Sequence, residues 1–104
     1  MTDRIREDDA AVEGSAVVRT PTGLHARPAI KLSRLAKQFQ SQIGLRVEGE
    51  GDWVDAKSIV RVMALRVGEG KRLDIRARGE DAGSAVSALS DLVGRNFDEP
   101  DAHV

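Results

Sequence analysis

The chain has 104 residues, a formal net charge of −1 and no cysteine. This length allows one small domain, and the absence of cysteine excludes disulfides, thiol catalysis and thiolate zinc sites. Because the 32% of charged residues are of mixed sign, no global charge favours nucleic acid or an anionic membrane. No stretch has the apolar length of a signal peptide core or a membrane-spanning helix, so we expect a cytoplasmic protein without membrane insertion.

The two ends of the chain differ from its middle. The first fourteen residues are polar and acidic and predict a disordered arm over 1–14. The last seven, which are acidic and contain a proline, predict a flexible tail over 98–104. Between them, 15–97 carries patterned elements and no linker, which predicts a single domain. His103 lies in the tail, and we expect no role for it.

The first two predicted elements are a strand and a helix. Ser15–Thr20 is rich in valine and is followed by proline and glycine, which indicates a strand and then a loop. Over Ala26–Phe39 apolar residues recur at helical spacing, and Pro28 lies in the first turn, where its missing N–H costs little. The predicted apolar face of this helix comprises Ala29, Ile30, Leu32, Leu35, Ala36 and Phe39.

The remaining elements follow in short succession. Apolar residues alternate over 43–47, and after a glycine-containing turn a short strand at 53–55 completes a hairpin. The segment 58–65 fits either a short helix capped by its serine or a strand rich in β-branched residues. A clean alternation over 73–77 predicts a further strand, and the stripe over 85–93 predicts a last helix that ends near Gly94.

The predicted order is strand, helix, strand, strand, short helix, strand, helix. Four strands with the helices as separate connections indicate an α+β fold of two layers, with the helices on one face of the sheet. Periodicity defines these elements but does not define the order of the strands within the sheet.

His25 stands at the start of the first helix. Histidine titrates near neutrality, and its neutral ring nitrogen is a good nucleophile. The amides of Ala26 and Arg27 would point toward any group on the ring, because a helix N-terminus offers free N–H groups and a partial positive charge. Arg27 adds a guanidinium that binds phosphate oxygens, and Gly23 lets the loop approach closely. Together these features suit a histidine that accepts a phosphoryl group.

Other interpretations of His25 are weaker or remain open. The histidine would be only a helix cap in a purely structural reading, although serine, threonine, aspartate and asparagine cap better. A metal site would need more ligands than this region offers, and no G-x-S-x-G elbow indicates serine catalysis. The residues alone leave capping and phosphoryl transfer both possible.

Two segments carry a resemblance to a known family. The segment Gly23–Ala29 (GLHARPA) resembles the active-site signature of HPr, the histidine-containing phosphocarrier of the bacterial phosphotransferase system. Ala56–Ile59 (AKSI), followed by Met63–Leu65 (MAL), resembles the regulatory-serine region of the same family. The interval between His25 and Ser58 and the order of elements also fit, so the resemblance extends over most of the chain outside the ends.

The resemblance implies an open-faced β-sandwich, in which three helices cover one face of a four-stranded antiparallel sheet. The resemblance also implies that the segment 58–65 begins with a short helix. It implies that enzyme I, loaded from phosphoenolpyruvate, phosphorylates Nδ1 of His25, that Arg27 assists, and that an enzyme IIA-type acceptor takes the group. The chain would then be a monomeric carrier with no cofactor or metal, rather than an enzyme that turns over alone.

The second segment implies regulation and docking. In some members an ATP-dependent HPr serine kinase/phosphorylase modifies the serine that matches Ser58, and such regulation depends on another gene; the alternative is a plain N-cap. Ile59, Val60 and Met63 form the predicted docking patch for partner proteins near His25. The alternative for each of these three side chains is core packing.

One departure and several branches bear on function. Arg66 stands where many members of the family have glycine. The sequence leaves open sugar uptake, the nitrogen-type regulatory chain and the dihydroxyacetone kinase branch. A non-catalytic regulatory module of the same fold, acting through the Ser58 face, is the main alternative function. A small enzyme such as a phosphatase would need a second catalytic group that the sequence does not show.

Overall fold

The computed structural model describes residues 11–97, which form a four-stranded antiparallel sheet and three helices. The elements, numbered here in chain order, are β1 (Ala11–Val17), α1 (Ala26–Ala36), β2 (Gln42–Val47), β3 (Glu50–Asp55), α2 (Ile59–Ala64), β4 (Arg72–Arg78) and α3 (Ala82–Gly94). This confirms the α+β class and the predicted element order. Segment 58–65 is confirmed as a short helix.

The order of strands across the sheet is β1-β4-β2-β3, and all neighbours are antiparallel. Strands β2 and β3 form a hairpin whose turn residues, Glu48 and Gly49, both have positive φ, at 43° and 78°. Such angles suit the right-handed twist of a two-residue hairpin. The central strands β4 and β2 each pair on both sides, which is why their core-facing residues are the most deeply buried.

The core lies between the sheet and the helix layer. Leu73, Ile75 and Ala77 of β4 are buried, whereas the residues between them stay accessible, as strand alternation requires. Helix α3 packs on β1 and β4 through one continuous apolar stripe, which comprises Ala82, Ala85, Val86, Leu89, Leu92 and Val93. The helices leave the opposite face of the sheet uncovered, and that face carries the other residues of each strand.

Strand β1 differs from its prediction. It spans Ala11–Val17 instead of Ser15–Thr20, so residues 11–14, which were assigned to the arm, pair with β4. Small residues on its core-facing side hid the alternation. Gly14 is needed there because α3 lies so close that an added Cβ would stand 2.7 Å from Cγ1 of Val86. The rest of the predicted arm, 1–10, and the predicted tail, 98–104, lie outside the described residues.

Two further boundaries were wrong by a few residues. Helix α1 ends at Ala36, and Phe39 follows in a turn, where it packs partly on the core. Strand β3 begins at Glu50, earlier than the predicted start at 53, because the hairpin turn contains only Glu48 and Gly49. Asp81 links the loop after α1 to the start of α3. Its carboxylate accepts hydrogen bonds from the backbone amides of Gln40 and Ser41 and from the Ser41 hydroxyl.

Candidate functional site

His25 is the N-cap residue of α1, with extended backbone angles of φ −88° and ψ −163°. Its carbonyl oxygen accepts the first hydrogen bond of the helix from the amide of Ala29, at 3.0 Å. The imidazole is exposed and makes no capping hydrogen bond. The backbone of His25 therefore starts the helix, while its side chain is free for chemistry and does not cap.

The first turn of α1 is an open anion site. The amides of Ala26 and Arg27 precede the first intrahelical hydrogen bond, and Pro28 has no N–H to donate. No acidic residue lies in this turn to compete for the amides or to cancel the positive end of the helix dipole. A dianionic group attached to the ring of His25 would therefore meet free donors and a favourable field.

Arg27 stands in the same turn with its side chain exposed. Within residues 11–97 its guanidinium makes no ion pair and no hydrogen bond to another side chain. A planar guanidinium without a carboxylate partner keeps all five N–H donors for a ligand, and phosphate oxygens match its fork. Arg27 is thus available to an anion at His25 without having to break an existing contact.

The loop before His25 is held in one conformation by the residues around it. The hydroxyl of Thr20 donates to the carbonyl of Gly23 at 2.7 Å, and the amide of Leu24 donates to the carbonyl of Val67 at 2.8 Å. Gly23 has φ +71°, and a Cβ there would collide with the backbone oxygen of Val67. The predicted close approach at Gly23 therefore has a defined partner, the loop that follows α2.

Ser58 is the N-cap of α2, and its hydroxyl oxygen accepts a 3.3 Å hydrogen bond from the amide of Arg61. The residue is half-buried, and the hydroxyl retains its own proton for a second partner. Helix α2 packs against α1, so the helices that begin at Ser58 and at His25 are neighbours in one layer. The structure thus supports the capping role of Ser58 directly.

The predicted docking patch, Ile59, Val60 and Met63, divides into exposed and buried parts. Val60 is 75% exposed and Met63 39%, whereas Ile59 is half-buried and packs against the core. Val62, on the opposite side of the helix, is fully buried. A valine so exposed in the first turn of a six-residue helix contributes little to the core, which leaves it available to a partner.

One side chain of α1 lies on a different face from the predicted one, and a second, not predicted, is buried. Ile30, predicted on the apolar face, is 37% exposed, and Ser33 is fully buried in its place. The spacing from Ala29 to Leu32, Ser33 and Ala36 is the true buried stripe, and Ile30 lies about 100° away from its start. The exposed Ile30 adds an apolar side chain one turn after His25.

Arg66, the departure noted in the sequence, has φ +52°. The left-handed region costs about 1–2 kcal/mol for a residue with a Cβ, which explains why a glycine would suit this position. Arg66 directly precedes Val67, the residue whose carbonyl holds the His25 loop. Its side chain is exposed, so this strained cation lies in the loop that supports the candidate site.

Among residues 11–97 no three histidine or acidic side chains gather closely enough to hold a metal ion. None of the helices described is long and apolar enough to cross a membrane.

The family model described as "PTS HPr component phosphorylation site" matches residues 12–95. The phosphocarrier protein HPr of Borreliella burgdorferi is 38% identical over 82 residues, which cover 79% of this chain and 93% of that protein. The multiphosphoryl transfer protein of Salmonella typhimurium is 38% identical over 92 residues. That match covers 88% of this chain but only 24% of the relative, so the chain spans about a quarter of that longer protein.

Solved structures agree with these matches. HPr from Thermoanaerobacter tengcongensis superposes with a TM-score of 0.77 at 39% identity, covering 85% of this chain and 97% of that one. Crh, the catabolite repression protein of Bacillus subtilis, superposes with a TM-score of 0.65 at 36% identity, covering 79% of this chain and 92% of the other.

Proposed function

Because this chain belongs to the HPr family of phosphocarriers, we propose that His25 is its phosphoryl acceptor and donor, loaded by enzyme I and discharged to an enzyme IIA-type protein. The observation that carries this assignment is the exposed imidazole, which makes no capping hydrogen bond, at an α1 N-terminus that has no acidic residue in its first turn. Exposure matters because both the donor and the acceptor of a carrier are other proteins, which must reach the ring.

The transfer needs one bond to form as another breaks. The lone pair of His25 Nδ1 attacks the phosphorus carried by a phosphohistidine of enzyme I. As the new N–P bond forms, the donor's N–P bond breaks and its electron pair stays on the donor imidazole. The same exchange in reverse order passes the group to a histidine of the acceptor. No water takes part, so the phosphoryl group stays on nitrogen throughout the relay.

Charge stabilisation falls to Arg27 and to the helix N-terminus. Negative charge spreads over the three equatorial oxygens of the phosphoryl group in the transition state, so fixed donors near these oxygens lower the barrier. The amides of Ala26 and Arg27 and the Arg27 guanidinium are such donors. Gly23 contributes by letting the loop pack against Val67, which fixes the position of the His25 backbone and so of its ring.

The docking patch supplies the contact with partners. Val60 and Met63 are exposed on the helix that packs beside α1, and Ile30 is an exposed apolar side chain of α1 itself. A relay requires an interface that forms and dissolves quickly, and a small apolar patch with a flexible methionine serves several partners. Val60→Ser should raise the KM for enzyme I, whereas Val17→Ser, an equally conservative change on the uncovered sheet face, should not.

Ser58 gives this proposal a regulatory side. A phosphate on its hydroxyl would add up to two negative charges at the start of α2, beside the docking patch, and weaken the binding of enzyme I. The alternative function, a regulatory module that acts through the Ser58 face without phosphoryl transfer, is supported by the similarity to Crh. Its partner binding would not change when His25 is replaced.

The test is phosphoryl transfer from phosphoenolpyruvate through a catalytic amount of enzyme I. Wild-type protein and Ser58→Ala should each take up one phosphoryl group per chain, and His25→Ala should take up none. Arg27→Gln should slow transfer about 10- to 100-fold, the effect of losing a charge-assisted hydrogen bond. Arg34→Gln, an exposed arginine in the last turn of α1, is the matched control and should transfer at the wild-type rate. Label on His25→Ala would refute the assignment.

A further inference from the structure

The uncovered face of the sheet carries a shallow depression of about 380 Å³, on the other side of the sheet from the helix layer. Strands β2, β3 and β4 and the residues after β3 enclose it. Its lining includes Gln42, Gly44, Trp53, Lys57, Arg76 and Arg78, together with the carboxylate of Asp55. This volume lies within the range of small-molecule sites in proteins. His25 and α1 take no part in it, so it is separate from the proposed phosphoryl site.

Trp53 is the single tryptophan of the chain, and two arginines stack on it. The guanidinium carbon of Arg46 is 4.2 Å from the ring centroid, and that of Arg76 is 4.3 Å away. Gly44 leaves room for the indole, because a Cβ added there would stand 3.3 Å from Cβ of Trp53. Stacking fixes a guanidinium by its face and leaves its N–H groups free at the edge.

Among the residues that the structure describes, the cations of the depression have no acidic partner. Arg76 and Arg78 make no ion pair within residues 11–97. Arg76 is opposite Glu13 in the β1–β4 register, yet the two do not come within ion-pair distance. Arg78 is opposite Ala11 and Gln42, which are uncharged. In the lining, three cationic side chains therefore face one carboxylate, although the whole chain carries a net charge of −1.

We propose that this depression binds a phosphomonoester of a small metabolite. A phosphomonoester carries between one and a half and two negative charges near neutral pH, roughly the local excess of positive charge. Its oxygens match the guanidinium fork of Arg78 and the free edge of Arg76, and its carbon-bearing part can contact the edge of the half-exposed Trp53 side chain. The proposal does not depend on phosphoryl transfer, and no covalent step is involved.

Another part of this chain is the main rival occupant. The segment 1–10 includes Glu7, Asp8 and Asp9 and leads directly into Ala11, which is opposite Arg78. Three extended residues span about 10 Å, the width of two strand spacings, so these carboxylates are within reach of the depression by chain length alone. The experiment must therefore separate a free phosphomonoester from this acidic segment.

Trp53 reports on the site directly, through its fluorescence and its indole N–H resonance. Full-length protein is titrated with ribose 5-phosphate at constant ionic strength, with ribose and sodium chloride as blanks. We expect a saturable one-to-one change with the phosphate ester and none with either blank. Because a phosphomonoester gains a proton near pH 6, binding should weaken as the pH is lowered from 7.5 to 5.5.

Matched variants locate the binding. Arg78→Gln should weaken it about tenfold or more, as expected for the loss of a charge-assisted hydrogen bond. Lys57→Gln should weaken it less, because the Lys57 ammonium already donates a hydrogen bond to the carbonyl of Phe39 at 2.7 Å. Arg72→Gln changes the same charge on the same face of β4, but Arg72 already pairs with Asp74 at 3.3 Å, so the affinity should stay within about twofold. His25→Ala should bind like wild type, which keeps this result independent of the phosphocarrier test.

Three results would overturn the proposal. One is a titration that does not saturate or that sodium chloride reproduces. Another is an equal effect of Arg72→Gln and Arg78→Gln, which would mean that only general charge matters. The third is binding that occurs only after Glu7→Gln, Asp8→Asn and Asp9→Asn are combined, since the acidic segment would then be the occupant. Unchanged urea midpoints for the single variants confirm that each one is folded.

Discussion

Replacing Gly23 by alanine tests whether the loop before His25 depends on its contact with Val67. The added methyl group faces two costs that the structure defines separately. Gly23 has φ +71°, a left-handed angle that costs an alanine about 1–2 kcal/mol. The new Cβ would also collide with the backbone oxygen of Val67, and overpacking of this kind typically costs about 1–3 kcal/mol.

The two costs do not simply add, because a movement that relieves the collision weakens another interaction. If the Val67 carbonyl moves away, the hydrogen bond from the amide of Leu24 lengthens from 2.8 Å and about 1 kcal/mol is lost instead. We therefore expect Gly23→Ala to lower the free energy of unfolding by about 2–4 kcal/mol, a large share of the stability of a small domain. The His25 ring should shift with the loop, so the rate of phosphoryl transfer should fall as well.

Urea denaturation, followed by Trp53 fluorescence, measures the first effect, and the enzyme I assay measures the second. Gly68→Ala is the matched control, since it lies in the facing loop, has no positive φ and would place its Cβ in open space. That control should stay within about 0.5 kcal/mol of wild type. If Gly23→Ala were no more destabilised than Gly68→Ala, the close approach of the two loops would not hold the site.

Three further changes test other parts of the structure. Arg66→Gly should raise the free energy of unfolding by about 1 kcal/mol in urea titrations, because glycine adopts φ +52° without strain; a loss of stability would contradict this. Ser58→Ala should cost about 1 kcal/mol, and Ser58→Asp should restore most of it, if the capping bond is what matters. Hydrogen bonds from the Ser41 hydroxyl and the Gln40 amide hold the pKa of Asp81 below its ordinary 3.8. The stabilisation that the Asp81 carboxylate provides is therefore complete above pH 3.8 and is lost as the pH falls through its lower pKa in the folded state. Below about pH 4, the urea midpoint of Asp81→Asn should therefore fall less than that of wild type.

Much of the fold was predictable because the pattern of each element is local. Residues 73–77 alternate cleanly, and they form the central strand whose apolar side chains are the most buried. The start of β1 was not predictable. Its core-facing side includes Gly14, and the reason for a glycine there is the nearness of α3, which lies more than sixty residues later in the chain.

The candidate site divides in the same way. The residues proposed to carry its chemistry lie in one short segment, Gly23–Ala29. The positions of His25 at the helix start and of Arg27 in the first turn followed from Pro28 and the helical spacing. The support of that segment by Val67 depends on a loop about forty residues away, so no local pattern could reveal it. The stack of Arg46 and Arg76 on Trp53 depends on the register of three strands and was likewise hidden.

The central claim is that a phosphoryl group is carried on the ring of His25. The most direct test is to load the full-length protein from phosphoenolpyruvate with enzyme I and to locate the phosphorus by ¹⁵N–³¹P NMR of the histidine rings. We predict one phosphorus per chain, bonded to Nδ1 of His25, with a signal that disappears when an enzyme IIA-type acceptor is added. Phosphate found on Ser58 or on His103, or a His25 ring that stays unmodified in the presence of active enzyme I, would contradict this account.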